Sequence, residues 1–385
     1  MKSEKISEFL QLRIDAKDFP SAVYLVAEKS EIVFHDALGF AVVEPEKIEA
    51  RIDTIYDLAS LTKPLVTGLL CAKLIEKGEI SLIDRIAKYF PEFDTNEKRQ
   101  ITIQNLLTHT SGFPVWKPFY LSQDFLLRYE AKYMGLSDKR VNEFVLKEIL
   151  EIPLENPMNS KVVYSDFNFL LLGFLVEKVY GTELHHLAVT EIITRLGLMQ
   201  TFIGGLDTLR REIAACEFGN EYEKQMCVNL SLDISNYQFR DYQIWGEVHD
   251  GNCYFMNGVS GHAGLFSNVF ETFKIAQQFL AEETVLLKPE TCKLFRTNFT
   301  RGLNEARSIA FQLAETKDST ASEFLAKDSF GHLGFTGTSL WIEPETERIF
   351  ILLTNRTHAR DLPFENINSV RRKFHELAVK CLDEK

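Results

Sequence analysis

The sequence predicts a mixed α/β (α+β) fold in which both ends of the chain build one antiparallel sheet, flanked by helices, around a mostly helical inserted domain. β-rich runs occur near both ends, at 22–43 and 332–356, whereas residues from about 80 to 285 have mostly helical periodicity. Amphipathic helical patterns also open and close the chain. These observations assign 1–80 plus 286–385 to a sheet-and-helix domain and 81–285 to a mainly helical insertion.

The N-terminal elements are a helix, a hairpin and an apolar helix. Helical spacing of apolar residues predicts the first helix, at Ile6, Phe9, Leu10 and Ile14. The run 22–43 is typical of two strands joined by a polar turn at 28–31. High apolar density after Ser60 predicts a buried helix that stops at Gly78.

The remaining elements follow from changes of period along the chain. Helices are predicted at 101–112, capped by Thr102, at 167–181, and at 269–283 after Ser267 and Asn268. Strands are predicted at 332–344 and 348–356, with a turn at 345–347. A terminal amphipathic helix is marked by Val370, Phe374, Leu377, Ala378 and Cys381.

Composition excludes several classes of protein. The 385 residues are 45% hydrophobic and 25% charged, which is typical of a globular chain and not of a disordered one. With 43 basic and 55 acidic residues the net charge is −12, so nucleic acid and anionic membrane surfaces are not expected partners. No run of 18 apolar residues could span a bilayer.

Cysteine usage and the first residues predict a cytoplasmic protein. The first twenty residues carry charges and no apolar signal-peptide core. The six cysteines have no CxxC spacing, which indicates free thiols of a reducing compartment and neither a disulfide framework nor a zinc site.

Ser60 and Lys63 form the first motif with chemical potential. At i and i+3 of a helix the two side chains lie on one face and can touch. Pro64 favours a position near the helix start, where the helix dipole would stabilise negative charge developing on the Ser60 hydroxyl. The same pattern also fits a helix-capping serine followed by a surface lysine, so the motif alone decides nothing.

Two further motifs follow in order. Tyr164, Ser165 and Asp166 precede the buried helix 167–181, which suits either a packed tyrosine or the rim of a cleft. The segment 331–339 is a predicted strand containing three glycines. Glycine weakens a strand unless something approaches the backbone closely, and a substrate pairing along the strand is one such reason.

Together and in this order, the three motifs resemble those of the serine β-lactamase and penicillin-binding family, and most closely class C β-lactamases, serine DD-peptidases and the esterases that share their fold. Ser60 and Lys63 match the Ser-x-x-Lys motif, and Tyr164 stands at the tyrosine of Tyr-x-Asn. Residues 332–334 stand where Lys-Thr-Gly or His-Thr-Gly is expected. Other stretches similar to family sequence are 106–114, 193–204, 246–267 and 352–358. The resemblance covers about 20–360 and implies the family's fold.

The resemblance implies an acyl-enzyme on Ser60, in a cleft between the two predicted domains, with no cofactor and no metal. A serine hydroxyl needs a base, and the resemblance implies Tyr164 in this role with Lys63 sharing the proton; the sequence does not divide the role between them. Ionising a free tyrosine at pH 7 costs roughly 4 kcal/mol, which the Lys63 ammonium and a protonated His332 would supply. The implied substrate-binding and oxyanion residues are Asp166, His332, Gly334 and Phe335, with the backbone N–H groups of Ser60 and Phe335 forming the oxyanion hole.

Departures from the family motifs favour uncharged substrates. Asp166 replaces an amide with an anion, and Leu333 and His332 replace a threonine and a lysine that would meet a substrate carboxylate. We therefore predict an esterase or amidase of small acyl substrates. The alternatives are a D-amino-acid peptidase or weak β-lactamase, and, in a different class, a non-catalytic module that binds penicillin or peptide. In each case the partner is a small ester, amide or peptide-like molecule, and the oligomeric state stays open.

Three other groups of residues have competing interpretations. His249, Asp250 and His262 lack the spacing of a metal site and are expected to be hydrogen-bonded loop residues near the pocket wall. The aromatic residues Trp116, Phe119 and Tyr120 fit a packed cluster and an apolar lip over the cleft equally well. The basic run 371–373 is expected on the solvated face of the last helix.

Overall fold

A seven-stranded antiparallel sheet built from both ends of the chain forms the centre of the molecule. The structure is a computed structural model that describes residues 1–95, 97–122 and 139–385. The sheet order is β3-β2-β1-β10-β9-β8-β7. The described strands are β1 Ser21–Glu28, β2 Glu31–Val42, β3 Ile48–Glu49, β4 Tyr56–Asp57, β5 Phe202–Ile203, β6 Leu265–Ser267, β7 Gln312–Leu313, β8 Phe330–Leu333, β9 Ser339–Glu343 and β10 Arg348–Thr354. The predicted fold class is confirmed.

Strand β1 lies in the middle of this sheet and joins the two ends of the chain. Val23 is opposite Leu353 of β10 on one side and Ala37 of β2 on the other. Alternate β1 residues belong to two separate hydrophobic clusters, one on each face of the sheet. A strand buried on both faces reads as a continuous apolar run, as residues 22–27 of β1 do.

Helices cover both faces of the sheet. The described α-helices are α1 Glu4–Asp15, α2 Leu69–Lys77, α3 Ile103–Leu107, α4 Lys139–Glu151, α5 Asp166–Tyr180, α6 Leu184–Ala188, α7 Glu221–Asn229, α8 Gly251–Phe255, α9 Val269–Ala276, α10 Lys293–Arg296 and α11 Asn368–Asp383. Helices α1 and α11 pack with β1 and β10 in the smaller cluster. Helix α5 is nearly all apolar and lies in the larger cluster, as its sequence predicts.

Strand β4 belongs to a second sheet, of three strands in the order β4-β6-β5, which joins the residues before Ser60 to the segment predicted as an insertion. The predicted domain boundaries at 80/81 and 285/286 stay a prediction, and the part of the insertion at 123–138 lies outside the described residues. No helix among the described residues is long and apolar enough to cross a membrane. All six cysteines are buried and free.

Three predicted elements differ from the structure, one of them the predicted helix 269–283, in which Val269–Ala276 is α-helical and Gln277–Phe279 is a 3₁₀ turn. The predicted strand 332–344 is a hairpin of β8 and β9, because the chain turns at 334–338, where the Gly334 N–H donates to the Thr338 carbonyl (2.9 Å) and Gly337 has a φ of +113°. The predicted helix 101–112 ends at Leu107, although Thr102 caps it as expected by accepting from the Asn105 N–H.

Candidate functional site

Ser60 lies in a single 3₁₀ turn, Ala59–Leu61, directly after β4. A wide helical segment, Lys63–Gly68, follows and continues as α2. Lys63 Nζ donates to Ser60 Oγ over 3.1 Å, so the i, i+3 contact predicted from the sequence is present. Wide helical turns of this kind often occur at functional sites.

Lys63 is fully buried, and three acceptors surround its ammonium group. Besides Ser60 Oγ, these are Asp166 Oδ1 at 2.8 Å and the His262 carbonyl at 3.2 Å. Burial disfavours the charged form, but the Asp166 carboxylate and, after it, the Tyr164 side chain outweigh burial, and the Lys63 pKa is raised. Lys63 is therefore an ammonium group in the resting protein and holds no free lone pair.

Asp166 does not act as the sequence argument assumed. We expected an unpaired anion that would repel a substrate carboxylate. The structure instead pairs Asp166 with the Lys63 ammonium, so the charge of Asp166 is compensated within the protein. This change from the amide of the family motif neutralises a buried cation.

Tyr164 lies just before α5 and faces both Lys63 and the cavity. Lys63 Nζ is 4.9 Å from the centroid of the Tyr164 ring. Tyr164 Oη is buried and has no hydrogen-bond partner among the described residues. A buried hydroxyl without a partner is costly, so its retention here calls for a functional explanation.

His109 holds the backbone around Tyr164 and was not singled out from the sequence. Its Nδ1 accepts from the Ser165 N–H (3.1 Å), and its carbonyl accepts from the Val163 N–H (2.9 Å). The His109 ring packs against the Tyr164 ring with centroids 4.6 Å apart. In the sequence, the one feature that points to His109 is its position within 106–114, a stretch similar to family sequence.

His332 is a neutral imidazole at the end of β8. Burial, followed by the charges of Arg307 and Lys63, holds the His332 pKa well below its usual value. Nδ1 donates to the Leu333 carbonyl (2.9 Å), which leaves Nε2 as an acceptor without a partner among the described residues. The protonated His332 considered from the sequence is therefore not the resting state.

The turn after β8 is attached to the residues that precede Ser60. Thr338 Oγ1 donates to the Leu58 carbonyl (3.0 Å) and Thr336 Oγ1 to the Asp57 carbonyl (2.7 Å). A Cβ at Gly334 would overlap both Thr338 and Leu58. Close packing within the protein therefore accounts for this glycine, in place of the approaching substrate suggested by the sequence.

One cavity of about 560 Å³ brings the predicted site residues together. Six of the seven line it, namely Ser60, Tyr164, Asp166, His332, Gly334 and Phe335, and Lys63 lies buried beneath. Phe335 packs against the His249 ring with centroids 5.4 Å apart. The structure thus brings these residues together, while their individual roles stay predictions.

Three arginines line the same cavity, and the sequence analysis did not place any of them there. Arg307 is 4% exposed, and its Nη2 pairs with Glu305 (2.7 Å). Arg356 Nε donates to the Phe335 carbonyl (2.7 Å). Arg371 was expected on a solvated helix face; it is instead buried, and it donates to the carbonyl of Gly334 (2.8 Å).

The loop residues weighed as a metal site are held by hydrogen bonds. His249 Nε2 lies 2.8 Å from Glu217, and His262 Nε2 lies 3.0 Å from Asp250. Ligand atoms of Asp166, Asp250 and His262 lie within 4.8 Å of one another, but the Asp166 and Asp250 carboxylates already pair with Lys63 and His262. The absence of a metal stays a prediction, and the donor set gives no reason to change it.

The aromatic residues at 116–120 contribute partly to the wall of the cavity and partly to a packed cluster. Trp116 lines the cavity, whereas Phe119 and Tyr120 are buried. Tyr120 Oη donates to the Glu223 carboxylate (2.7 Å), which is also at the cavity wall.

A sequence profile described as Beta-lactamase matches residues 5–370 of the chain. The chain belongs to the Beta-lactamase family. The predicted resemblance is thereby confirmed over nearly the whole length of the sequence.

The names of similar proteins and structures describe several different activities. A putative D-alanyl-D-alanine carboxypeptidase of Escherichia coli K12 is 31% identical over 360 residues, 89% of this chain and 79% of that protein. The fold is similar to EstCE1, a hydrolase with promiscuous acyltransferase activity (TM-score 0.71, 19% identity, 97% of each chain). It is also similar to a class C β-lactamase of Rhodobacter sphaeroides (TM-score 0.70, 16% identity, 100% of each chain). At such identities the structural likeness shows the fold, and a fold does not fix the substrate.

Proposed function

We propose that this member of the Beta-lactamase family is a serine hydrolase that forms an acyl-enzyme on Ser60. The observation that carries the proposal is the 3.1 Å hydrogen bond from the buried Lys63 ammonium to Ser60 Oγ, at the wall of a cavity that Tyr164 also lines. Ser60 thus has a cation, a candidate base and space for a substrate around it.

Tyr164 is the proposed general base, because the Lys63 ammonium is already bound to three acceptors. In the acylation step the phenolate form of Tyr164 takes the proton of Ser60 Oγ as Oγ attacks the substrate carbonyl, and the resulting hydroxyl passes that proton to the departing alcohol, thiol or amine. Water then attacks the acyl-enzyme by the same route and returns the proton to Ser60. The negative charge of the Tyr164 phenolate, present before it accepts the proton, would lie near two cations, Lys63 Nζ at 4.9 Å and Arg307 Cζ at 5.5 Å from the ring centroid.

The proposed oxyanion hole consists of the backbone N–H groups of Ser60 and Phe335. Both residues line the cavity, and the bonds from Thr336 and Thr338 to the Asp57 and Leu58 carbonyls hold the two segments together. Preorganised donors of this kind stabilise the tetrahedral intermediate without rearrangement.

Small acyl esters or amides are the proposed substrates. Carboxypeptidase activity is the second candidate function. Uncharged substrates are expected if no permanent cation lies beside the third motif. The charge of Arg307 beside Tyr164 favours the second candidate, as does the name of the carboxypeptidase relative. Six free, buried cysteines support a cytoplasmic location.

Steady-state turnover of p-nitrophenyl acetate distinguishes a serine hydrolase from a non-catalytic binding module. The wild-type protein is expected to release many equivalents of nitrophenol, and Ser60→Ala to release none above background while keeping the wild-type melting temperature. A stoichiometric burst without turnover would favour the binding module. Wild-type rates in Ser60→Ala would contradict the proposal.

A further inference from the structure

Asp57, at the end of β4 and three residues before Ser60, is a buried carboxylate that the proposed mechanism does not use. The residue is 2% exposed. Both of its carboxylate oxygens accept from backbone N–H groups, Oδ1 from that of Ala59 (2.8 Å) and Oδ2 from that of His249 (2.8 Å). These bonds compensate for the burial of the carboxylate, and they join the segment before Ser60 to the loop before α8.

The first of these bonds holds Ala59 in a strained conformation. Ala59 has a φ of +47°, in the left-handed region that a residue with a Cβ rarely adopts. An aspartate that accepts from the N–H group two residues further along closes a tight turn and thereby stabilises such a conformation. The dihedral angles of Ala59 set the direction of the next N–H group, which is that of Ser60. This is one of the two proposed oxyanion donors, and strained backbone is typical of such functional positions.

Asp57 also contacts the surroundings of the second proposed donor, the Phe335 N–H. The Asp57 carbonyl accepts from Thr336 Oγ1 over 2.7 Å. Through Oδ2, Asp57 also holds the backbone of His249, whose ring stacks on the Phe335 ring with centroids 5.4 Å apart. The His249 ring is held in turn by Glu217, which lies 2.8 Å from Nε2. One buried residue is therefore connected to both halves of the proposed oxyanion hole.

We propose that Asp57 is a positioning residue for the oxyanion hole; this inference rests on the proposed function. Its carboxylate holds the turn at Ala59 that directs the Ser60 N–H, and its carbonyl and its bond to His249 hold the segment that carries the Phe335 N–H. Asp57 is not among the residues that line the cavity, so it acts through these backbone groups without touching a substrate. Donors that are held in place stabilise an oxyanion without rearrangement during the reaction.

Two esters that differ in one atom test this assignment. They are p-nitrophenyl acetate and its thiono analogue, in which sulfur replaces the carbonyl oxygen. Sulfur is larger and accepts hydrogen bonds more weakly, so donors placed for an oxyanion favour the oxygen ester in the transition state. The measurement is the oxygen-to-sulfur ratio of kcat/KM, divided by the same ratio for hydrolysis by hydroxide. We expect this corrected ratio to be about tenfold or more in the wild type.

Asp57→Asn keeps the shape of the side chain but replaces one acceptor oxygen with an NH₂ group, which cannot accept from a backbone N–H. We expect kcat for the oxygen ester to fall by about ten- to a hundredfold, a part of the 10²–10³ that one oxyanion donor contributes, while KM changes little. The thiono ester depends less on these donors and should lose less. The corrected ratio should therefore fall toward one.

A second substitution and a matched control separate positioning from a general loss of stability. Adding Ala59→Gly to Asp57→Asn should restore part of the ratio, because glycine adopts a positive φ without the steric cost. Asp18→Asn also changes a buried carboxylate, 5% exposed and bonded to Arg13 Nε over 2.6 Å. It should lower the melting temperature without changing the ratio.

The outcomes separate this assignment from the hydrolase proposal. Equal losses for the two esters in Asp57→Asn, or a corrected wild-type ratio of one, would overturn the positioning role, and turnover that depends on Ser60 would leave the hydrolase intact. Turnover of both esters without Ser60 would overturn the hydrolase itself. If Asp57→Asn does not fold, Thr336→Val removes only the bond to the Asp57 carbonyl; a lower ratio would support the assignment and an unchanged ratio would overturn it.

Discussion

Among single residues, the charge of Lys63 organises the candidate site. Lys63 is fully buried, and a lone ammonium group there would be strongly destabilised. Asp166 at 2.8 Å compensates the charge, and Ser60 Oγ receives one of its protons. Tyr164, whose ring centroid is 4.9 Å from Lys63 Nζ, has a hydroxyl without a hydrogen-bond partner among the described residues.

Replacing Tyr164 by phenylalanine is expected to lower kcat for p-nitrophenyl acetate by about 10² to 10⁴, the usual worth of a positioned acid/base group. The melting temperature should change little, since Oη has no hydrogen-bond partner among the described residues. Tyr180→Phe is the matched control, because its hydroxyl is also buried without a partner and lies at the other end of α5. A drop of less than about fivefold in Tyr164→Phe would move the base role to Lys63.

Glu223, at the cavity wall, predicts a pH dependence of stability. Burial, followed by the charge of Asp250, raises the Glu223 pKa to about 7 from an ordinary 4.5. The folded state therefore binds more protons than the unfolded state between these values, and its stability falls as the pH rises through this window. Glu223→Gln removes the titrating carboxyl group and should therefore remove this pH dependence.

Melting temperatures at pH 5 and pH 8 check this prediction. The melting temperature of Glu223→Gln relative to that of the wild type should be higher at pH 8 than at pH 5. Glu221→Gln, an exposed change in the same helix, should show no such trend. A difference that is constant, or that reverses, would show that Glu223 ionises normally.

Among the structural elements, the turn between β8 and β9 couples the large sheet to the serine. Thr336 and Thr338 bond to the Asp57 and Leu58 carbonyls, just before Ser60. The separation of the Ser60 and Phe335 N–H groups is therefore fixed by this turn. The π-type segment Lys63–Gly68 then directs Lys63 back toward Ser60.

Gly334→Ala is expected to lower both the melting temperature and kcat, because its Cβ would overlap Thr338 and Leu58 and displace the turn from Ser60. Gly302→Ala is the control: no atom lies within 4 Å of its added Cβ, and its φ of +85° costs about 1 kcal/mol of backbone strain only. Thermal melts and ester hydrolysis on both variants check the prediction. Wild-type activity in Gly334→Ala would mean that this turn does not position the oxyanion hole.

In the whole molecule, the sequence predicts those parts whose pattern is local. The period of apolar residues predicts the terminal strands and helix α5, and the spacing of Ser60 and Lys63 predicts their contact. Long-range partners leave no such pattern. Arg307 reaches Tyr164 from a distant part of the chain, and Arg371 lies in a basic run that is typical of a solvated surface.

The charge states of Asp166 and His332 also depend on long-range partners, which the sequence does not indicate. The sequence identifies Asp166 as an anion but not its partner, because pairing with Lys63 depends on how the segment before α5 packs against the segment that contains Ser60 and Lys63. The sequence also contains no sign that the charges of Arg307 and Lys63 would keep His332 neutral.

Intact-mass analysis after incubation with a fluorophosphonate shows whether Ser60 is the nucleophile. We expect one adduct per chain, mapped by peptide analysis to Ser60, slower to form in Tyr164→Phe and absent in Ser60→Ala. A folded wild-type protein that gains no adduct, or gains it on another residue, would contradict the account.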